Sequence, residues 1–226
     1  MPITPKSGSI FDTDCEHIVN TINLHGAMGK GLALEFRLRV PEMYDEYREK
    51  CFNKELQIGK YWIYDRPNRM GKKILNFPTK NHYSHPSKLE YIIQGLEYFR
   101  RNYDADKINS IAFPLLGARN GKLDYRDVYE VMREMLADLP INVEVYLNHS
   151  KCDRFTSNVK SLIADAPEGM LMDVLNYDKE LVTDLQRYIK NIQSLTELLD
   201  FPEFTIEKVQ MIYDMGFEYF PNKIII

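Results

Sequence analysis

Lys80 follows the apolar run Ile74-Leu75-Asn76-Phe77 by way of Pro78-Thr79, and His82 and His85 come close behind it. A primary amine at a strand end can do covalent chemistry on a sugar: unprotonated, it captures an opened aldehyde as a Schiff base. Its ordinary pKa of about 10.4 leaves little free amine at neutral pH, so that role requires desolvation or nearby cations. Protonated, the same lysine could act as an acid on a departing base. The plain alternative is a solvated loop residue. The histidines show no H-x-x-x-H or carboxylate-plus-histidine spacing, so no metal is expected and packing or loop hydrogen bonding is the simpler role.

Two glycine-rich stretches could bring backbone amides to the same ligand. "NLHGAMGKG" (Asn23 to Gly31) and "PLLGARNGKLDY" (Pro114 to Tyr125) each join a strand-like run to a helix-like one. Glycines allow close backbone approach, and the positive end of the following helix favours phosphate or a polar sugar. A pair of such loops suits a diphosphate, because successive amides can ring its oxygens. Neither loop is a Walker motif or a clean G-x-G-x-x-G. Arg119 could clamp phosphate or face solvent, and His25 could contact ligand or stand exposed. Asp124 reads as the cap of the next helix.

These loops need strands to carry them. "HIVNTIN", "KYWIYD", "KKILNF", "INSIAFPLL" and "NVEVYL" read as strands, with "RPNRMG" a hairpin turn between the second and third. "GLALEFRLRVPEMYDEYREKC" reads as helix interrupted near Pro41, "SKLEYIIQGLEYFRRNY" as an amphipathic helix starting near Ser87, and "YRDVYEVMREMLADL" as helix. The alternation predicts an α/β fold whose largely parallel sheet binds ligand beyond its carboxyl strand ends.

The 226 residues carry 29 Lys/Arg and 33 Asp/Glu, a net charge of −4. From Asn158 onward there are six basic and twelve acidic residues, leaving +2 for the rest. Nine of the eleven glycines fall at or before Gly121. Two structural units are therefore expected, residues 1–155 and an acidic helical region 156–226. In the latter, Leu181, Leu185, Tyr188, Ile192, Leu195 and Leu199 have the spacing of one helical stripe, and "FTIEKVQMIYDMGFEYF" reads as a helix ending near Gly216. Three scattered cysteines suggest no disulfide framework, and no apolar run reaches a membrane-spanning length, so a cytoplasmic location is expected. Arg66, Arg69, Lys72 and Lys73 form a basic hairpin that, with Lys122 near the second glycine-rich loop, could lie beside a nucleic-acid substrate.

"SGSIFDTDCEHIVNTINLHGAMGKGLALEF", "NFPTKNHYSHPSKLEYIIQGLEYF" and "IAFPLLGARNGKLDY" together resemble the macro-domain family, in the branch containing the DarG antitoxin and the terminal ADP-ribose protein glycohydrolase. The resemblance implies a three-layer α/β/α sandwich with a mixed, largely parallel sheet, followed by a small helical region. It implies ADP-ribose as ligand, no cofactor, and removal of ADP-ribose from DNA bases. In this resemblance Lys80 matches the catalytic lysine. Asn23, Gly26, Met28, Gly29, Lys30 and Gly31 match the loop around the distal ribose. Leu116, Gly117, Ala118, Arg119, Asn120 and Gly121 match the diphosphate loop, with Ser9, Ile10, Thr79 and His82 also expected near ligand. Ser9 stands where many relatives place an adenine-reading aspartate, and Ala118-Arg119 replaces the usual Cys-Gly. The resemblance further implies ADP-ribosylated DNA as partner, no membrane, and a cognate ADP-ribosyltransferase toxin that the C-terminal region could engage. Alternatives are a reader holding ADP-ribose without turnover, or a phosphatase or deacylase acting on ADP-ribose derivatives.

Overall fold

The computed structural model describes residues 3–148 and 152–220. By its contacts the chain divides into two compact units, 1–149 and 150–226. The first holds six strands: β1 (Thr4–Ser7), β2 (His17–Asn23), β3 (Trp62–Tyr64), β4 (Lys73–Lys80), β5 (Ser110–Pro114) and β6 (Asn142–Asn148). Its helices are α1 (Gly31–Arg39), α2 (Pro41–Phe52), α3 (Leu89–Asn102) and α4 (Tyr125–Leu136). The strands lie in the order β1-β6-β5-β2-β4-β3. Every pairing is parallel except that of β3 with β4. The sheet is thus mixed and largely parallel, with the expected hairpin at one edge.

Alternation along the central strands sorts side chains onto two faces. Val19, Leu75, Phe77, Ile111 and Phe113 join the core cluster that includes Ile92, Leu96 and Phe99 of α3 and Val128, Met132 and Leu136 of α4. Ile18, Ile22, Ile74 and Ala112 join Phe36 of α1 and Met43 and Tyr47 of α2. Helices therefore cover both faces, giving the three-layer sandwich. Between β2 and β4, the buried Asn20 Nδ2 donates to Asn76 Oδ1 at 2.9 Å, a polar pair between register partners. A slip of one residue would leave both amides unpaired in apolar surroundings.

Three local expectations need correction. The strand β1 was not legible, because Thr4-Pro5-Lys6-Ser7 is a largely exposed edge strand without an apolar pattern. The helix α3 starts at Leu89 rather than near Ser87, since the Ser87 amide donates to Gly121 O at 2.9 Å instead of entering the helix. The basic hairpin lies at the start of β4, seven residues and about 23 Å of strand from Lys80. Its charges are engaged there: Arg66 pairs with Glu46, Lys73 with Glu16, and Lys72 Nζ donates to Cys15 O at 2.7 Å.

The second unit contains α5 (Arg154–Asp165), α6 (Glu168–Leu175), α7 (Lys179–Tyr188) and α8 (Ile206–Tyr219). The stripe expected from Leu181 to Leu199 is not one helix. Instead α7 ends at Tyr188, and a capping box of Ser194 and Glu197 begins a separate 3-10 segment, Leu195–Asp200. The buried set is Val182, Leu185, Ile189, Ile192, Leu195 and Leu198. Gly216 lies inside α8 rather than ending it. A Cβ there would lie 2.4 Å from Val159 Cγ2 and 2.9 Å from Phe155 Cζ, so this glycine lets α8 approach α5. No helix among the described residues is long and apolar enough to cross a membrane.

Candidate functional site

Parallel pairing brings the carboxyl ends of β2 and β4 side by side. Asn23 and Lys80 are register partners after a bulge, and the Leu24 amide donates to Lys80 O at 3.1 Å and to Asn81 O at 3.2 Å. The first glycine loop is therefore tied to the strand that ends in the amine. The Asn23 side chain folds the loop: its Oδ1 accepts from the amides of His25 (2.8 Å) and Ala27 (3.4 Å), and its Nδ2 donates to Ala27 O (2.6 Å). Tyr47, buried on α2, donates its hydroxyl to Asn23 O at 2.7 Å and pins the strand end.

The loop then enters α1 without a side-chain cap at Lys30, leaving its first-turn amides to other acceptors. Gly31 adopts φ +56°, and a Cβ there would lie 2.5 Å from Asn120 Nδ2. Asn120 belongs to the loop after β5, so the two glycine loops touch at this point. That second loop is built around Gly121, where a Cβ would lie 2.1 Å from Gly117 O and 2.4 Å from Ser87 Oγ. Leu123 N donates to Gly117 O (3.1 Å) and Lys122 N to Arg119 O (3.0 Å), which curls the loop on itself. Ser87 Oγ is buried beneath it and has no hydrogen-bond partner among the described residues. Asp124 caps α4 by accepting from Arg126 N at 2.8 Å, as the sequence suggested.

Lys80 connects these parts. Its Nζ donates to Asn120 O, so the amine bridges the end of β4 and the second glycine loop. Partial burial, and then the Lys122 ammonium, hold Lys80 below the ordinary lysine range. Both effects favour the neutral amine that carbonyl chemistry requires.

The remaining candidates divide by what their side chains can reach. Gly26, Gly29, Lys30, Ala118 and Arg119 lie on the two loops at the Lys80 end, with Lys30 and Arg119 exposed. Ile10, Met28 and Leu116 are core residues, so only their backbones are open to a ligand. Thr79 turns its hydroxyl to Ile22 O at 3.4 Å, and Ser9 Oγ caps the short 3-10 turn Ile10–Asp12 by accepting from Phe11 N. His82 accepts at Nδ1 from Ser84 N at 3.2 Å, and Ser84 Oγ lies 2.7 Å from the same nitrogen. Lys122, which the sequence places near the second glycine loop, is the cation beside Lys80, although that pairing was not itself expected. A signal was present: the stretches 23–31, 80–88 and 117–123 hold Lys30, Lys80, Lys88, Arg119 and Lys122 and no Asp or Glu.

Comparison with known proteins places these features in context. The family model described as Macro domain matches residues 19–132. A Mycobacterium tuberculosis protein named DNA ADP-ribosyl glycohydrolase is 44% identical over 139 residues, covering 61% of this chain and 40% of that protein. The chain thus spans about 40% of the length of the curated relatives it matches. The structure of the macrodomain of Mycobacterium tuberculosis DarG matches with a TM-score of 0.61 at 42% identity, over 64% of this chain and 96% of that one. The structure of Thermosipho africanus DarTG in complex with ADP-ribose matches with a TM-score of 0.60 at 30% identity, over 63% and 41%.

Proposed function

This chain belongs to the macro-domain family, and from that premise we propose that it removes ADP-ribose from modified DNA bases by cleaving the N-glycosidic bond. The observation that carries the reading is the Lys80 amine, held to Asn120 O between two amide-lined loops and kept below its ordinary pKa by burial and Lys122. A reader that only holds ADP-ribose has no need of a deprotonatable amine at this point. The relatives named for DNA ADP-ribosyl glycohydrolysis support the choice of DNA as substrate.

The chemistry follows from the positions. Backbone amides of 26–31 and 117–121, with the uncapped start of α1, hold the pyrophosphate and direct the distal ribose toward Lys80. The C1″–N bond breaks with its electron pair passing to the base nitrogen, which takes up a proton. The neutral Lys80 amine forms a bond to C1″ and loses a proton. Ring opening then moves the ring-oxygen bond to a hydroxyl and leaves an imine between C1″ and Nζ. Water adds across that imine, returning the free amine and ADP-ribose. The partner is ADP-ribosylated DNA. A transferase that writes the mark is proposed as a protein partner of residues 150–226, an assignment supported by the acidic balance beyond Asn158.

Incubating wild type and Lys80→Ala with base-modified DNA, with ADP-ribosylated protein and with ADP-ribose 1″-phosphate tests the proposal. Release from DNA by wild type, reduced about 10³-fold or more in Lys80→Ala, is expected, an effect the size of losing a positioned catalytic group. Ligand-induced thermal stabilisation without turnover of any substrate would instead support a reader. Turnover confined to the 1″-phosphate and indifferent to Lys80 would support a phosphatase.

A further inference from the structure

Beneath the second glycine loop lies a hydroxyl that the steps above do not use. Ser87 is 5% exposed, and its Oγ has no hydrogen-bond partner among the described residues. The Ser87 amide donates to Gly121 O at 2.9 Å, which ties the residue to the loop above it. Cβ atoms built on Gly117 and Gly121 would lie 3.1 Å and 2.4 Å from Ser87 Oγ, so the hydroxyl sits against both glycines that bracket the loop. A buried hydroxyl without a partner costs stability. Alanine would fill the same floor without that cost, so packing alone does not account for a serine here.

The loop has unmatched groups of its own. Among the described residues the amides of Arg119, Asn120 and Gly121 have no acceptor, and such amides turn toward an anion that enters. A trans peptide is planar with its N–H and C=O opposed, so turning one outward turns the other inward. The Asn120–Gly121 peptide is the decisive one. Its carbonyl accepts from Lys80 Nζ, and its N–H is the Gly121 amide. A carbonyl acceptor favours the ammonium over the neutral amine, so carbonyl chemistry at Lys80 gains when Asn120 O turns elsewhere. Gly121 does not have a positive φ in the structure, and rotating this peptide about its neighbouring Cα atoms carries that angle across. Glycine permits the change where a side chain would resist it.

Building on the proposed DNA glycohydrolase reading, we propose that Ser87 is the positioning residue of the 117–121 loop. Its hydroxyl donates to Asn120 O when the Asn120–Gly121 peptide turns its N–H to the pyrophosphate, and Lys80 is thereby released to the distal ribose. The hydroxyl gains the partner it otherwise lacks. Gripping the pyrophosphate and freeing the amine become one event, so Lys80 is unmasked only where ADP-ribose is seated.

Wild type, Ser87→Ala and Ser87→Cys are compared by thermal unfolding of the protein alone, by calorimetry with ADP-ribose, and by turnover of base-modified DNA. Removing an unmatched hydroxyl should leave the melting temperature of the protein alone unchanged or raise it. ADP-ribose affinity should nevertheless fall about tenfold in Ser87→Ala, because the inward Asn120 O is then left without a donor. The kcat at saturating DNA should also fall about tenfold, since Lys80 stays on Asn120 O. Cysteine nearly keeps the shape of serine but is a weak donor, so Ser87→Cys should follow Ser87→Ala. A lowered melting temperature of Ser87→Ala alone, which marks a merely structural serine, would overturn the proposal. Wild-type ADP-ribose affinity in either variant, or an affinity loss with kcat intact, would overturn it as well. Calorimetry requires no turnover. Absence of release from DNA by wild type, with the affinity loss present, would sink the glycohydrolase reading and leave the Ser87 contact standing. Intact release with a Ser87→Ala that binds ADP-ribose as wild type does would do the reverse.

Discussion

The two ends of one parallel sheet carry similar charges to opposite effect. At the start of β4, Lys73 meets Glu16 at 2.8 Å and Arg66 meets Glu46 at 3.1 Å, and on the β1–β6 edge Lys6 meets Glu144 at 3.3 Å. Glu144 also accepts from Thr13 Oγ1 at 2.7 Å and from the Tyr146 hydroxyl at 3.2 Å. Each of these three cations has a carboxylate to neutralise it. At the far end Lys80 meets a carbonyl, its charged neighbour is another lysine, and the three loops contain no carboxylate at all. Cations lower one another's pKa and remain available to an anionic ligand only where no carboxylate pairs them. The difference between structure and chemistry in this sheet is a difference in partners, not in residue type.

The sharpest way to break the comparison is at the loop that makes the far end a site. Gly121→Ala places a methyl 2.1 Å from Gly117 O, and backbone cannot yield as a side-chain tip does. A cost of about 3 kcal/mol in stability is expected, with loss of ADP-ribose affinity by calorimetry. Away from the two glycine loops, Glu144→Ala strands the Thr13 and Tyr146 hydroxyls, so thermal unfolding should show a loss of about 1–3 kcal/mol while ADP-ribose affinity is retained.

Subtler changes sharpen the contrast. Lys122→Asn removes the like charge beside Lys80 and suits the φ of +64° at that position. In the proposed mechanism the active form of Lys80 is the neutral amine, so the rate should rise as pH climbs through its depressed pKa. Without Lys122 that rise should shift to higher pH in a pH–rate profile, and an unshifted profile would remove Lys122 from the account. Lys73→Ala should do least, costing under about 1 kcal/mol because its pair with Glu16 is largely exposed. Its affinity for modified DNA should match wild type, since it lies at the wrong end of β4.

Much of this arrangement was legible before any coordinates. The apolar runs of β2, β4 and β5 end at Asn23, Lys80 and Pro114, and the glycines that follow β2 and β5 mark loops with close backbone contact. What the sequence reading did not draw out is that the basic hairpin and the glycine loops occupy opposite ends of β4. The hairpin 65–72 carries the denser run of cations, yet it precedes β4 and so faces away from Lys80. The contact between the His25 and His82 rings was hidden for a related reason. His25 and His82 are 57 positions apart in sequence, and only the β2–β4 pairing brings them together. In the second unit the spacing from Leu181 to Leu199 fits one helix, but the local chemistry of Ser194 and Glu197 starts a new segment and changes which leucines are buried.

The account's central claim is that a neutral Lys80 amine bonds to the anomeric carbon of ADP-ribose. Borohydride added during turnover of base-modified DNA reduces such an imine to a stable secondary amine, and intact-protein mass spectrometry with peptide mapping then reads it. The account predicts an ADP-ribose adduct on Lys80 in wild type and none in Lys80→Ala. Sustained release of ADP-ribose from DNA with no adduct on Lys80 would contradict it.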